Sequence, residues 1–225
     1  MKPGTFRVAT EKGSVTATAY PAAGKAPGPT YLFAHGAGAN QKHPYIVGTA
    51  ERLCALGVSV VTFDFPYTEA GRKAPDRGPV LEECLRAVFD AVRTRAEGPL
   101  FAGGKSMGGR IASQVAARPE GEGIDPSGLV FLGYPLHPPG KPEQKRDKHL
   151  PKVRVPMLFV QGTRDPFGGP DEIAPYLRRL AKGSRILPIK GGDHSHAVLK
   201  RDGVPQADVY GAIARAMADF MREVR

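Results

Sequence analysis

Short apolar runs alternate along the chain with longer stretches in which apolar residues recur every three or four positions. Phe6 to Thr10 and Ser14 to Tyr20 flank Lys12-Gly13, and Val and Ala alternate with polar residues in the second run. That period of two predicts a β-hairpin. Pro21 to Pro29, rich in Ala, Gly and Pro, predicts a loop. Tyr31 to Ala34, Val58 to Phe63, Leu100 to Ala102, Leu129 to Leu132, Met157 to Val160 and Arg185 to Ile189 predict strands of the buried kind. Between them lie helical patterns: Pro44 to Leu56, stopped by Gly57, then Val80 to about Ala96, then a segment opening at Ser106. A last helix carries Val209, Ile213, Met217, Phe220 and Val224. Strands apolar on both sides, alternating with helices, predict an α/β fold: a mostly parallel central β-sheet with helices on both faces. There is no repeat and no low-complexity tract, so residues 1–225 read as a single domain. In such sheets ligands bind at the carboxyl ends of the strands.

One of those ends carries Gly104-Lys105-Ser106-Met107-Gly108, between the strand Leu100 to Ala102 and a helix. A Gly-x-Ser-x-Gly segment in that context is a nucleophile elbow. The serine sits on a strained turn, its neighbours two residues away must lack bulk, and the helix N-terminus beneath it presents free N–H groups. A phosphate-binding loop would need glycine at position 99, which is Pro99.

A serine hydroxyl needs a base. Of six histidines, His194 follows the strand Arg185 to Ile189 in Gly192-Asp193-His194-Ser195-His196, and His196 is its competitor. The base needs an acid to fix its tautomer. Asp165 follows the strand Met157 to Val160, and Asp193 adjoins His194 too closely in sequence to reach its ring. Ser106, Asp165 and His194 stand in the chain order of an α/β-hydrolase triad. The expected oxyanion donors are the backbone N–H groups of Met107 and Ala37, with Gly38 as the alternative to Ala37. His35 is expected to hydrogen-bond within its own loop.

Composition narrows the function classes. The chain is 41% hydrophobic and 24% charged, a globular balance. The net charge of +10 comes from basic residues interleaved with acids, without a nucleic-acid-binding signature. It reads as a solvated surface, with a basic rim that attracts anionic substrates as the alternative. Cys54 and Cys84 read as buried thiols rather than a disulfide framework. No signal-peptide core and no run of about 18 apolar residues is present, which predicts a cytoplasmic protein with no membrane partner. No metal-ligand spacing and no cofactor motif is found, so neither metal nor cofactor is expected. No feature fixes an oligomeric state.

With these motifs, the chain resembles the α/β-hydrolase superfamily and, more narrowly, its small dienelactone-hydrolase-related branch. The resemblance rests on His35-Gly36-Ala37-Gly38, Gly104 to Arg110, Gly133 to Gly140, Gly162 to Gly168 and Gly192 to Ser195. It implies the Ser106, Asp165, His194 triad and a cofactor-free, esterase-like activity on a small-molecule ester or thioester, in a minimal fold without a large cap domain. Dienelactone hydrolases use a cysteine where this chain has Ser106. The segment 134–152, of about twenty residues, follows a strand where this fold carries its cap. It reads either as a lid-like loop that lines the substrate mouth with Tyr134, Leu136 and His137 or as an ordinary surface loop. Phe63 to Tyr67 is expected near the site rim. Two other readings use the same sequence: a catalytically idle fold serving as a protein-interaction module, and an acyltransferase with the same triad.

Overall fold

The computed structural model describes residues 2–24 and 27–224, so Lys25 and Ala26 of the expected loop lie outside the described residues. Eight strands form one sheet: β1 (Gly4–Thr10), β2 (Gly13–Tyr20), β3 (Thr30–Ala34), β4 (Ser59–Phe63), β5 (Leu100–Lys105), β6 (Leu129–Leu132), β7 (Met157–Gly162) and β8 (Arg185–Ile189). Their spatial order is β1-β2-β4-β3-β5-β6-β7-β8. β1 pairs antiparallel with β2, and β2 with β4; the six strands from β4 to β8 run parallel. The helices are α1 (Pro44–Ala55), α2 (Pro66–Glu69), α3 (Gly78–Arg93), α4 (Met107–Ala116), α5 (Pro170–Ile173) and α6 (Gln206–Glu223).

The uninterrupted apolar strands are explained by two cores. In β3, Leu32 and Ala34 point toward α3 and α4, while Tyr31 and Phe33 point toward α1 and α6. The same split divides Phe131 from Val130 in β6 and Phe159 from Val160 in β7. The chain thus forms the α/β sheet its pattern predicts, with helices on both faces and no large cap.

Three differences have local causes. β5 runs three residues beyond its apolar run, because Gly103, Gly104 and Lys105 keep pairing with β3 and β6. β8, expected to be fully buried, is an edge strand and is mostly half-buried. α2 and α5 were not expected; each spans four residues behind an N-terminal proline, too few to set up a helical period. Among the described residues, no helix is long and apolar enough to cross a membrane.

The central strand β5 delivers the chain into α4 through a very tight junction. A Cβ on Gly104 would lie 2.4 Å from the Ala34 carbonyl oxygen and 2.8 Å from Gly108. A Cβ on Gly108 would lie 2.4 Å from that same oxygen and 2.7 Å from the His35 carbonyl oxygen. Backbone atoms cannot swing aside as side-chain ends do, so α4 can approach β3 this closely only on bare glycine. Gly108→Ala should therefore cost about 2 kcal/mol or more, the scale of core overpacking. Urea unfolding checks this; a midpoint within error of wild type would show that the junction has slack.

Candidate active site

Ser106 occupies the single residue between β5 and α4, with φ 50° and ψ −115°. A non-glycine residue at positive φ is strained unless its surroundings fix it. Here its N–H donates to the Leu132 carbonyl at 3.1 Å and its own carbonyl accepts from the Arg110 N–H at 3.1 Å. The turn leaves the hydroxyl above the sheet, partly exposed.

Ser106 Oγ lies 2.8 Å from His194 Nε2. The other ring nitrogen, Nδ1, lies 2.8 Å from Asp165 Oδ2 and 3.0 Å from Oδ1. A carboxylate can only accept, so Nδ1 carries the proton and Nε2 is left to accept from the serine hydroxyl. The Asp165 side chain is fully buried, whereas that of His194 is 20% exposed. Two further donors hold the carboxylate: Gln161 Nε2 reaches Oδ2 at 2.9 Å, and the Phe167 N–H reaches Oδ1 at 2.9 Å. Gln161 is itself fixed, accepting from the Tyr134 N–H at 2.9 Å and donating to the Gly168 carbonyl at 2.6 Å. The Phe167 ring lies over the His194 imidazole, with centroids 4.2 Å apart.

The rival histidine has a different fate. Asp193 Oδ1 accepts from the N–H groups of Ser195 and Ala197, at 2.7 and 2.9 Å, closing a turn that sends His194 and His196 in different directions. His196, at φ 61°, is fully buried. Its Nε2–H donates to the Val160 carbonyl at 3.1 Å, and its Nδ1 accepts from the Tyr45 hydroxyl at 2.7 Å. Burial, with a smaller push from the Lys105 charge, lowers its pKa to about 4. His35 is also buried, donating from Nδ1 to the Gly36 carbonyl at 2.8 Å and accepting at Nε2 from the Phe65 N–H at 3.3 Å. Burial lowers its pKa. Phe65 and Tyr67, expected at the rim, are buried and pack edge-on against His35 instead.

A cavity of about 600 Å³ opens at Ser106, and Ala37, Met107 and His194 lie on its wall. Gly38 is not on that wall. Among the described residues, the amides of Ala37 and Met107 have no backbone acceptor. The segment 134–152 contributes Pro135 and Arg146 to the cavity rather than Tyr134, Leu136 and His137. Those three are buried. The Tyr134 hydroxyl donates to the Arg146 carbonyl at 2.9 Å, Leu136 packs in the core, and His137 faces the Glu172 carboxylate at 3.0 Å. Past β6, residues 134 and 136 turn inward and 135 faces the cavity. Residues 139–145 are exposed. Among the described residues, no group of three or more His, Cys, Asp or Glu side chains is placed to hold a metal ion.

Sequence reasoning passed over Gln161, Phe167 and Lys105. Gln161 could have been noticed as the polar residue that ends an apolar strand four positions before Asp165. Lys105, in the elbow itself, is 9% exposed, and its Nζ has no hydrogen-bond partner. A Cβ on Gly133 would lie 3.1 Å from that Nζ and 2.7 Å from the His194 carbonyl oxygen, so bare glycine makes room for both. Burial pulls the Lys105 pKa down to about 8, against the opposing charges of Asp165 and Asp193.

Residues 27–222 match the family described as "Alpha/beta hydrolase domain". The chain belongs to that family and is an α/β hydrolase. Solved structures of similar fold include XC6422 from Xanthomonas campestris, described as an α/β serine hydrolase without lid. It is 20% identical with a TM-score of 0.74, over 98% of this chain and 96% of that one. Est1E from Butyrivibrio proteoclasticus, solved with ferulic acid, is 16% identical with a TM-score of 0.76, over 97% and 98%. A dienelactone hydrolase from Anabaena variabilis is 20% identical with a TM-score of 0.74, over 100% and 99%. At such identities the likeness is one of fold.

Two pH effects follow. Lys105 binds its proton less readily folded, near pH 8, than unfolded, near 10.4, so the wild type carries a penalty at pH 7 that is relieved as pH rises through that window. Lys105→Met lacks it. The stability difference between the variant and wild type should narrow by about 2–3 kcal/mol from pH 7 to pH 10, read from urea midpoints. A constant difference would mean that the amine is not desolvated. His196 likewise gives stability that is complete above about pH 6.5 and lost as pH falls through about 4. His196→Gln should flatten the acid side of a thermal-stability profile between those values; parallel profiles would contradict a neutral, buried His196.

Proposed function

We propose that this chain hydrolyses a small carboxylic ester or thioester through an acyl-enzyme on Ser106. The observation that carries the reading is the continuous line from Ser106 Oγ through His194 to the buried Asp165, set on a strained elbow beside an open cavity.

Ser106 Oγ attacks the carbonyl carbon while His194 Nε2 takes the hydroxyl proton. Asp165 holds the Nδ1–H and stabilises the imidazolium that forms. The carbonyl oxygen becomes an oxyanion and accepts from the N–H groups of Ala37 and Met107, two residues of the cavity wall. The tetrahedral centre collapses, breaking the bond to the leaving alcohol or thiol, which takes the proton from Nε2. Water then attacks the acyl-enzyme and gives a proton to Nε2; the acyl–Oγ bond breaks, Ser106 Oγ takes that proton, and the acid leaves. Phe167 confines the imidazole to the plane in which both nitrogens reach their partners. An idle fold is disfavoured by the backbone strain kept at Ser106, which a scaffold has no use for.

A fluorophosphonate probe tests the reading. Mass spectrometry should locate the adduct on Ser106; Ser106→Ala should abolish it, and His194→Ala should slow it sharply. On a 4-nitrophenyl ester, Ser106→Ala should lower kcat by roughly 10⁴-fold or more. A folded wild-type protein that neither labels nor turns over esters would sink the hydrolase reading and leave the interaction module.

A further inference from the structure

We infer that the cavity beside Ser106 selects esters bearing a second, anionic group, a carboxylate, and that Arg110 and Arg146 hold that group. The inference rests on the hydrolase reading above and names its substrate class.

Both arginines lie on the cavity wall, and both are half-buried. Arg110 stands four residues after Ser106, a helical advance of about 6 Å along α4. Arg146 is positioned by its own backbone, whose N–H donates to the Leu136 carbonyl at 2.7 Å and whose carbonyl accepts from Tyr134. Some arginines of the chain have carboxylate partners, such as Arg72, Arg118 and Arg185. Among the described residues, neither Arg110 nor Arg146 has one. Arg110 makes one side-chain hydrogen bond, to Gln114 Oε1 at 3.0 Å, and its remaining donors are unused. Glu82, whose charge also reaches Arg110, is paired with Arg118.

Two guanidinium groups left facing one cavity repel each other. Burial and then the Arg146 charge both pull the Arg110 pKa down. Repulsion of this kind is unfavourable in the empty protein and is relieved by an anion between the two groups. A planar carboxylate matches the guanidinium fork and accepts two N–H donors from each. The cavity wall also carries Asp76; Arg72 Nη2 holds its Oδ1 at 2.8 Å, while its Oδ2 is buried without a partner. Lys105 shares the wall, yet its Nζ is buried away from solvent, so the anion falls to the two arginines. The spacing of Arg110 from Ser106 suits a half-ester of a short dicarboxylic acid, with its free carboxylate about one helical turn from the reacting carbonyl.

The test compares 4-nitrophenyl hydrogen adipate with the 4-nitrophenyl ester of adipamic acid, a neutral isostere, each corrected for its spontaneous hydrolysis. The wild type should favour the charged ester in kcat/KM by at least tenfold. That preference should fall at least tenfold in Arg110→Gln and in Arg146→Gln, and further in the double variant. High salt should reduce it as well. Equal kcat/KM for the two esters would overturn the inference while leaving the hydrolase reading intact. If neither ester is turned over, the fluorophosphonate probe decides the hydrolase reading and binding alone decides the anion site. Calorimetric titration of Ser106→Ala protein should then show monomethyl adipate binding at least tenfold more tightly than dimethyl adipate, with the difference lost in Arg110→Gln. No difference between the two would reject the anion site.

Discussion

Everything at the reacting centre depends on how closely α4 is pressed onto the end of β3. The approach exists because Gly104 and Gly108 present bare backbone to the Ala34 carbonyl. Pressed together, strand and helix leave one residue for the reversal of direction, and that residue must take a left-handed backbone. Ser106 is held there by hydrogen bonds on both sides of its peptide. A looser junction would let the serine relax to ordinary angles and turn its hydroxyl elsewhere. Packing of the core and orientation of one hydroxyl are thus a single constraint.

The same economy governs the line behind the serine. Asp165 lies on a loop past β7 and His194 on a loop past β8, and neither loop is rigid by virtue of secondary structure. Gln161 supplies the rigidity. Sitting at the end of β7, it bonds to Asp165, to the chain after β6 and to Gly168. One side chain therefore ties the two carboxyl-end loops after β6 and β7 together around a buried carboxylate. Removing it would leave that carboxylate with fewer donors at a place where water does not reach, which is costly.

The fold was legible because every central strand is buried on both sides and so reads as a solid apolar run. The edge strand β8 departs from that expectation for the same reason, since one edge of it has no neighbour. Ser106, Asp165 and His194 stood out because each follows the carboxyl end of a strand and their order along the chain is distinctive. The structure brings these three together. What the linear pattern did not reveal is direction. Tyr134, Leu136 and His137 are near the site in sequence, but the chain past β6 alternates, and the residue that lines the cavity there is Pro135. Gln161, Phe167 and Lys105 act through contacts with residues on other loops, so no local period marks them. Arg110 was visible within the elbow motif, but its pairing with Arg146 requires the return of a loop 36 residues on, which only the folded chain supplies.

The stretch between β6 and β7 shows how the molecule divides its labour. Its base is fastened by the Arg146 N–H to the Leu136 carbonyl and by the Tyr134 hydroxyl to the Arg146 carbonyl. Everything between, from residue 139 to 145, is open to solvent. Such a closed stem with a free tip can lengthen, shorten or change composition without disturbing either anchor. Drift in the tip would leave Pro135 and Arg146 fixed on the cavity wall, with the elbow and the acid–base line on other parts of the chain. The outside of the segment can therefore change while the side that walls the cavity stays as it is.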